Sequence, residues 1–141
     1  MAMISVVVPC YNGGKFIDQL TASLARQTFR DFEIVIVNDG STDPATKGKL
    51  AALDPAILVI HQENRGLSAA RNAGFAAANA DLIMNLDCDD QLEPTYLAET
   101  LVALQSAGPE VGFAFTHVRL VGAAQGVQKR YYSEFDILFK N

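Results

Sequence analysis

The run Ile4-Ser5-Val6-Val7-Val8 is almost unbroken in β-branched residues, and a loop and a helical pattern follow it. Such a run suits a central strand covered on both faces better than an edge strand. Pro9 is expected to stop it. The loop Cys10 to Gly14 follows, and Lys15 to Gln27 carries Phe16, Ile17, Leu20 and Leu24 at helical spacing. The same unit recurs. Glu33 to Val37 reads as a second buried strand, ending in the turn formers Asn38 to Pro44. Asp43 is a good N-cap with Pro44 as first helical residue, so a helix should run toward Leu53. Ile57 to Ile60 reads as a third strand and His61 to Gly66 as a polar loop. Leu67 to Ala78 reads as an alanine-rich helix with Leu67, Ala70, Phe75 and Ala78 facing inward. A fourth apolar run, Leu82 to Leu86, is of strand length. Pro94 is placed to open a helix through Leu97, Leu101 and Leu104 that ends before Gly108-Pro109. Val111 to Val121 is strand-like, and Val127 to Tyr132 could return after a turn at Gly122 to Gly126 as a hairpin.

Strand and helix alternating four times predict a three-layer α/β/α fold with a mostly parallel sheet, because parallel neighbours need crossover connections. At 141 residues, half of them apolar, one domain spanning residues 1–141 is enough to hold a core. In such sheets ligands bind beyond the carboxyl ends of the strands. The polar clusters Tyr11-Asn12, Asn38 to Asp43, Glu63 to Arg65 and Asp87 to Asp90 all follow strands, so they should converge on one edge.

The chemistry concentrates between Ala80 and Pro94. The fourth apolar run ends in Asp87, Asp89 and Asp90, three carboxylates within four positions. Acids this close repel one another unless one takes a proton or a cation sits among them. A divalent metal is the economical explanation, and carboxylates suit Mg²⁺ or Mn²⁺, whereas Zn²⁺ would want His or Cys. A net charge of −5 without a basic cluster argues against nucleic acid as a partner. No window has the length and hydropathy of a membrane span, and Met1-Ala2-Met3 carries no basic leader, so a cytoplasmic location is expected. Cys10 and Cys88 are too few for a disulfide framework and lack zinc-site spacing, so each reads as a small buried hydrophobe.

A dinucleotide dehydrogenase would need a G-x-G-x-x-G turn after the first strand, and neither that turn nor a P-loop is present. Four segments taken together instead resemble the family 2 glycosyltransferases of the GT-A fold. They are Val8 to Asn12, Val37 to Asp43, Asn64 to Asn72 and Leu86 to Asp90, and the resemblance extends from about Ile4 to about Leu104. It implies an inverting transfer of a sugar from a nucleoside-diphosphate donor, a UDP-sugar by preference, to a hydroxyl of a saccharide or lipid-linked acceptor. Synthesis of cell-surface polysaccharide is the setting it implies.

Carried over residue by residue, the resemblance puts Pro9, Tyr11, Asn12 and Asp39 around base and ribose and Arg71 near the diphosphate. Asp87 falls near the ribose, Cys88 is counted among the nucleotide-sugar-binding residues, and Asp89, with Asp87 and Asp90, falls on the metal. It also implies that the catalytic base lies beyond Asn141. Glu134 and Asp136, the only late acids, match no base motif. The chain is then expected to be the donor-binding part of a longer enzyme, peripheral to the inner face of the membrane.

Blander readings apply to single residues. Asp39 could form an ordinary Asp-Gly turn, Arg71 and Arg65 could be solvated arginines, Tyr11 could simply pack, and His61 and His117 read as structural. Cys88 should point away from its acidic neighbours. Phe113, Phe115, Tyr131 and Tyr132 read as core or hairpin surface. Two rival functions remain at this stage. One is a nucleotide-sugar-binding module without catalysis. The other is a receiver-type signalling domain, which would want its acid pair after the first strand and a lysine ending a later one; neither is present.

Overall fold

The computed structural model describes residues 2–116, 118–120 and 126–128. Two compact units make up the chain, Met1–Pro94 and Thr95–Asn141. In the first, β1 (Ile4–Cys10), α1 (Gly14–Ala25), β2 (Phe32–Asp39), α2 (Pro44–Ala51), β3 (Leu58–Gln62), α3 (Leu67–Ala77) and β4 (Leu82–Asn85) alternate as the apolar runs predict. The four strands form one parallel sheet in the order β3-β2-β1-β4. The first two crossovers run one way and the third reverses. Right-handed connections therefore put α1 and α2 on one face and α3 on the other, with the topological switch between β1 and β4.

The core lies along β1, every residue of which is buried, and the adjoining Val35, Ile36 and Val37 of β2. Ile17, Leu20 and Leu24 of α1 are buried with them. Removing side chains of this size from water stabilises by about 1.5–3 kcal/mol each.

Pro9 does not stop β1, which continues to Cys10. The Leu86 N–H donates to the Val7 carbonyl, so Val7, and Pro9 two residues on, turn their backbone groups toward the β4 side. Pairing there ends at Val7↔Asn85, so the N–H that proline lacks would have had no ladder partner. β2 likewise runs past Val37 through Asn38 and Asp39, which pair with His61 and Gln62 of β3. Polar character at these positions does not interrupt the ladder.

The inward face of α3 differs from expectation. Leu67 and Phe75 are exposed, and Ala70 and Gly74 are the buried residues. A Cβ on Gly74 would stand 2.3 Å from Val7 Cγ1 and 3.3 Å from Val37 Cγ2. Backbone proximity, not hydrophobicity, selects which residues face the sheet here. β4 is an edge strand among the described residues, with Ile83 exposed.

The start of α2 is tied to the start of α1 through one carboxylate. Asp43 accepts from the Ala45 N–H (3.2 Å), the Thr46 N–H (2.9 Å) and the Thr46 hydroxyl (2.7 Å), as an N-cap should. Thr46 Oγ1 in turn accepts from the Gly14 N–H at 2.8 Å. The Thr46 hydroxyl, then the Thr46 and Ala45 N–H groups, hold the Asp43 carboxyl below its ordinary range against desolvation. Asp43→Ala is expected to lower the midpoint of urea unfolding with an unchanged m value. The deficit relative to wild type should shrink as pH falls through the carboxylate range, because the lowered folded-state pKa contributes stability only above it.

In the second unit, α4 (Tyr96–Ser106) buries Leu97 and Leu101 and ends at Ala107, where Gly108 takes φ +97°. Val111 to Thr116 is not strand. β5 (Val118–Leu120) and β6 (Gly126–Gln128) pair antiparallel as the expected hairpin. Residues 129–132, His117, Glu134 and Asp136 lie outside the described residues.

Candidate nucleotide-sugar site

Asp39 ends β2 and is 4% exposed, yet its carboxylate organises the next loop. Oδ1 accepts from the Gln62 side-chain amide (2.6 Å) and the Arg65 N–H (2.9 Å), and Oδ2 from the Gly66 N–H (2.9 Å). Gln62 is its ladder neighbour, so the sheet register delivers that contact. Burial works to raise the pKa of Asp39, but these hydrogen bonds and the Arg65 charge outweigh it and hold the group below the ordinary range. An ionised carboxylate has about four acceptor sites, and three protein donors leave one on Oδ2. Gly40 follows with φ +69°, and a Cβ there would stand 2.5 Å from the Asn64 N, so the two loops meet backbone to backbone.

Asp39, Pro9, Cys10, Tyr11, Asn64, Gly66, Leu67 and Ala70 line a pocket of about 270 Å³. Tyr11 is 52% exposed, with its ring available to stack on a planar ligand. Asn12 is not among the lining residues. Its φ is +51°, its Oδ1 accepts from the Thr42 and Asp43 N–H groups (2.9 and 3.0 Å), and its own N–H donates to Ser41 Oγ (3.0 Å). Asn12 thus clips the loop after β1 to the loop after β2. Asn64 belongs to the polar loop expected on this edge, whereas Gln62, through Asp39, and Leu67 in the pocket lining were given no site role by the sequence. Leu67 fits a helical core pattern, and only its exposure at the mouth of α3 distinguishes it. Asn38 and His61, adjacent in the β2–β3 ladder, bond side chain to side chain at 3.1 Å, which agrees with a structural histidine.

Arg71 on α3 meets the acidic turn, its Nη2 donating to Asp87 Oδ1 at 2.6 Å. Its Nε is buried and has no hydrogen-bond partner. The Asp90 N–H closes the turn onto the Asp87 carbonyl (3.0 Å), and Asp89 and Asp90 are exposed at its tip. Partial desolvation, then the charges of Asp89 and Asp87, raise the pKa of Asp90, the expected repulsion among packed acids. Among the described residues no three Asp, Glu, His or Cys side chains converge to hold a metal by themselves. The turn offers oxygen donors only. That donor set fits Mg²⁺ or Mn²⁺, which are held by one or two carboxylates together with phosphate oxygens and water.

Cys88 turns inward, away from the acids. Its thiol donates to Cys10 Sγ at 3.4 Å, lowering the Cys10 pKa and raising its own. Its side chain is buried and faces Cys10, not the solvent. Through this contact the turn is seated against Cys10 in the pocket wall.

A four-stranded parallel sheet with a pocket at the carboxyl ends of its strands and an acid turn beside its switch point defines an α/β fold with its candidate ligand site where such folds bind ligands. Comparison with known proteins gives the family. The profile of Glycosyl transferase family 2 matches residues 5–137, and the chain belongs to that family. EpsH of Bacillus subtilis is 42% identical over 109 residues, 76% of this chain and 31% of that protein. The glycosyltransferase GlyA of Streptococcus pneumoniae is 42% identical over 100 residues, 70% of this chain and 14% of that protein. The chain thus spans about a third or less of these relatives.

Solved structures agree on the fold. Staphylococcus aureus TarS 1-349 in complex with UDP-GlcNAc superposes with a TM-score of 0.64 at 28% identity, over 74% of this chain and 31% of that one. The mannosyltransferase PcManGT of Pyrobaculum calidifontis in complex with GDP-Man and Mn²⁺ gives 0.65 at 26% identity, over 77% and 33%. No helix among the described residues is long and apolar enough to cross a membrane.

Proposed function

We propose that this chain binds the nucleoside-diphosphate sugar, a UDP-sugar by preference, for an inverting, metal-dependent transfer to an acceptor hydroxyl. The observation that carries the reading is the single acceptor site left on Asp39, placed in a pocket beside the Tyr11 ring. Asp39 accepts one N–H from the base, the requirement that uracil meets with its imide. Tyr11 covers the base face while Pro9 and Leu67 exclude water from its edge.

The diphosphate lies toward Arg71. That guanidinium already holds Asp87 through Nη2, and its side chain, 32% exposed, offers further N–H donors to an anionic oxygen. Asp89, with Asp87 and Asp90, would hold Mn²⁺ or Mg²⁺, which supplies positive charge against the growing charge on the leaving diphosphate. Complexes of the structural relatives with UDP-GlcNAc and with GDP-Man and Mn²⁺ support this assignment. The proton of the acceptor hydroxyl goes to a general base distinct from Asp39, Asp87, Asp89 and Asp90.

Calorimetric titration of UDP into the 141-residue chain tests it. Affinity is expected to rise roughly tenfold or more, about 1.4 kcal/mol, on adding Mn²⁺. Asp89→Asn should remove that gain. Equal affinity with and without the metal in the wild type would overturn the metal role.

A further inference from the structure

We propose that Cys10 and Cys88 are a dithiol pair that closes to a reversible disulfide, a modification site joining the pocket wall to the acidic turn. The two sulfurs stand 3.4 Å apart, both thiols are free, and both are buried. This proximity follows from the sheet. β1 and β4 pair in parallel to Val7↔Asn85, and the Leu86 N–H still bonds the Val7 carbonyl, so the end of β1 with Cys10 and the turn with Cys88 leave the sheet side by side.

Closure needs the sulfurs to approach to about 2.0 Å. Gly13 leaves the room for it. A Cβ at that position would stand 2.7 Å from Cys88 Sγ and 3.2 Å from Cys10 Sγ, so any other residue would crowd the sulfurs. Both sulfurs are buried, Cys10 at 1% exposed, so a small oxidant reaches them through local opening beside the exposed Tyr11-Asn12 loop. The sulfur geometry is independent of what the pocket binds.

With hydrogen peroxide as oxidant the chemistry balances in two steps. Cys10 sulfur takes one peroxide oxygen as the O–O bond breaks, the other oxygen leaves as water with the thiol proton, and Cys10 becomes a sulfenic acid. Cys88 sulfur then attacks Cys10 sulfur, the S–O bond breaks, and the hydroxyl leaves as a second water with the Cys88 proton. Two thiols have lost two electrons and two protons to one peroxide.

The test treats the 141-residue chain with hydrogen peroxide, then counts thiols under denaturing conditions and maps peptides by mass spectrometry. Expected are loss of both thiols, loss of the mass of two hydrogens, a cross-linked Cys10–Cys88 peptide, and full recovery of thiols with dithiothreitol. Cys88→Ser should instead accumulate a dimedone-reactive Cys10. Two thiols remaining after treatment, or added oxygen without the cross-linked peptide, would overturn the proposal, and the wild-type measurement decides it even if the variant folds poorly.

Discussion

Asp39→Ala is expected to lose both nucleoside-diphosphate affinity and stability, and no other single carboxylate among the described residues should cost as much on both counts. Removing the carboxylate leaves the Gln62 amide and the Arg65 and Gly66 N–H groups without their acceptor. Part of that deficit is recovered by water because this loop is exposed, so the net loss should be about 2–3 kcal/mol. It would appear as a lower urea midpoint. UDP affinity should fall by roughly tenfold to a hundredfold, about 1.4–2.8 kcal/mol, because the acceptor for the base N–H goes and the Asn64–Gly66 wall loosens with it.

Asp39→Asn separates these two effects. It keeps the shape and one acceptor but points an amide N–H at backbone donors, so it should bind UDP weakly even where it remains folded. Acid supplies a further check. The carboxyl is held below its ordinary value, so its contribution is present above about pH 4 and disappears as pH falls through the lower folded-state value. The stability gap between wild type and Asp39→Asn should narrow across that window. Unchanged UDP affinity in Asp39→Ala would remove Asp39 from the site.

The fold was legible because the sheet writes itself as β-branched runs, and Val6, Val7, Val8, Val35, Ile36 and Val37 fill the core those runs predict. Strand ends were less legible, for a physical reason. Asn38 and Asp39 look like turn residues by composition, yet β3 supplies ladder partners for both, and such pairing is a tertiary fact. The resemblance put Arg71 and Asp87 near one donor but not in contact, and nothing in local spacing joins α3 to the turn after β4. Asn12 was legible as a residue of the loop after β1 but not as a clip, because the Thr42 and Asp43 N–H groups it serves belong to another loop. The thiol pair was the least legible. Two cysteines 78 positions apart become neighbours only through the β1–β4 register.

Gly74 should be intolerant of even one methyl group, against what helix propensity alone would forecast. Alanine is favoured over glycine inside a helix by about 1 kcal/mol. Here its Cβ would stand 2.3 Å from Val7 Cγ1, well inside contact distance. Val7 is fully buried in a strand paired on both sides, and a β-branched side chain there has little rotamer freedom to yield. Either α3 lifts from the sheet or β1 shifts, and overpacking of this kind costs about 1–3 kcal/mol. Gly74→Ala is therefore expected to be destabilised, and Gly74→Val more so. Lifting α3 also moves Ala70 in the pocket wall and Arg71 against Asp87, so UDP affinity should fall along with stability. The Gly74→Ala/Val7→Ala double variant identifies the cause, because Val7→Ala removes the atom that the new methyl strikes. In a double-mutant cycle on urea unfolding the pair should be less destabilised than the sum of its members by about 1–2 kcal/mol. Additivity within about 0.5 kcal/mol would mean that the close approach of α3 to β1 is not what keeps glycine at this position.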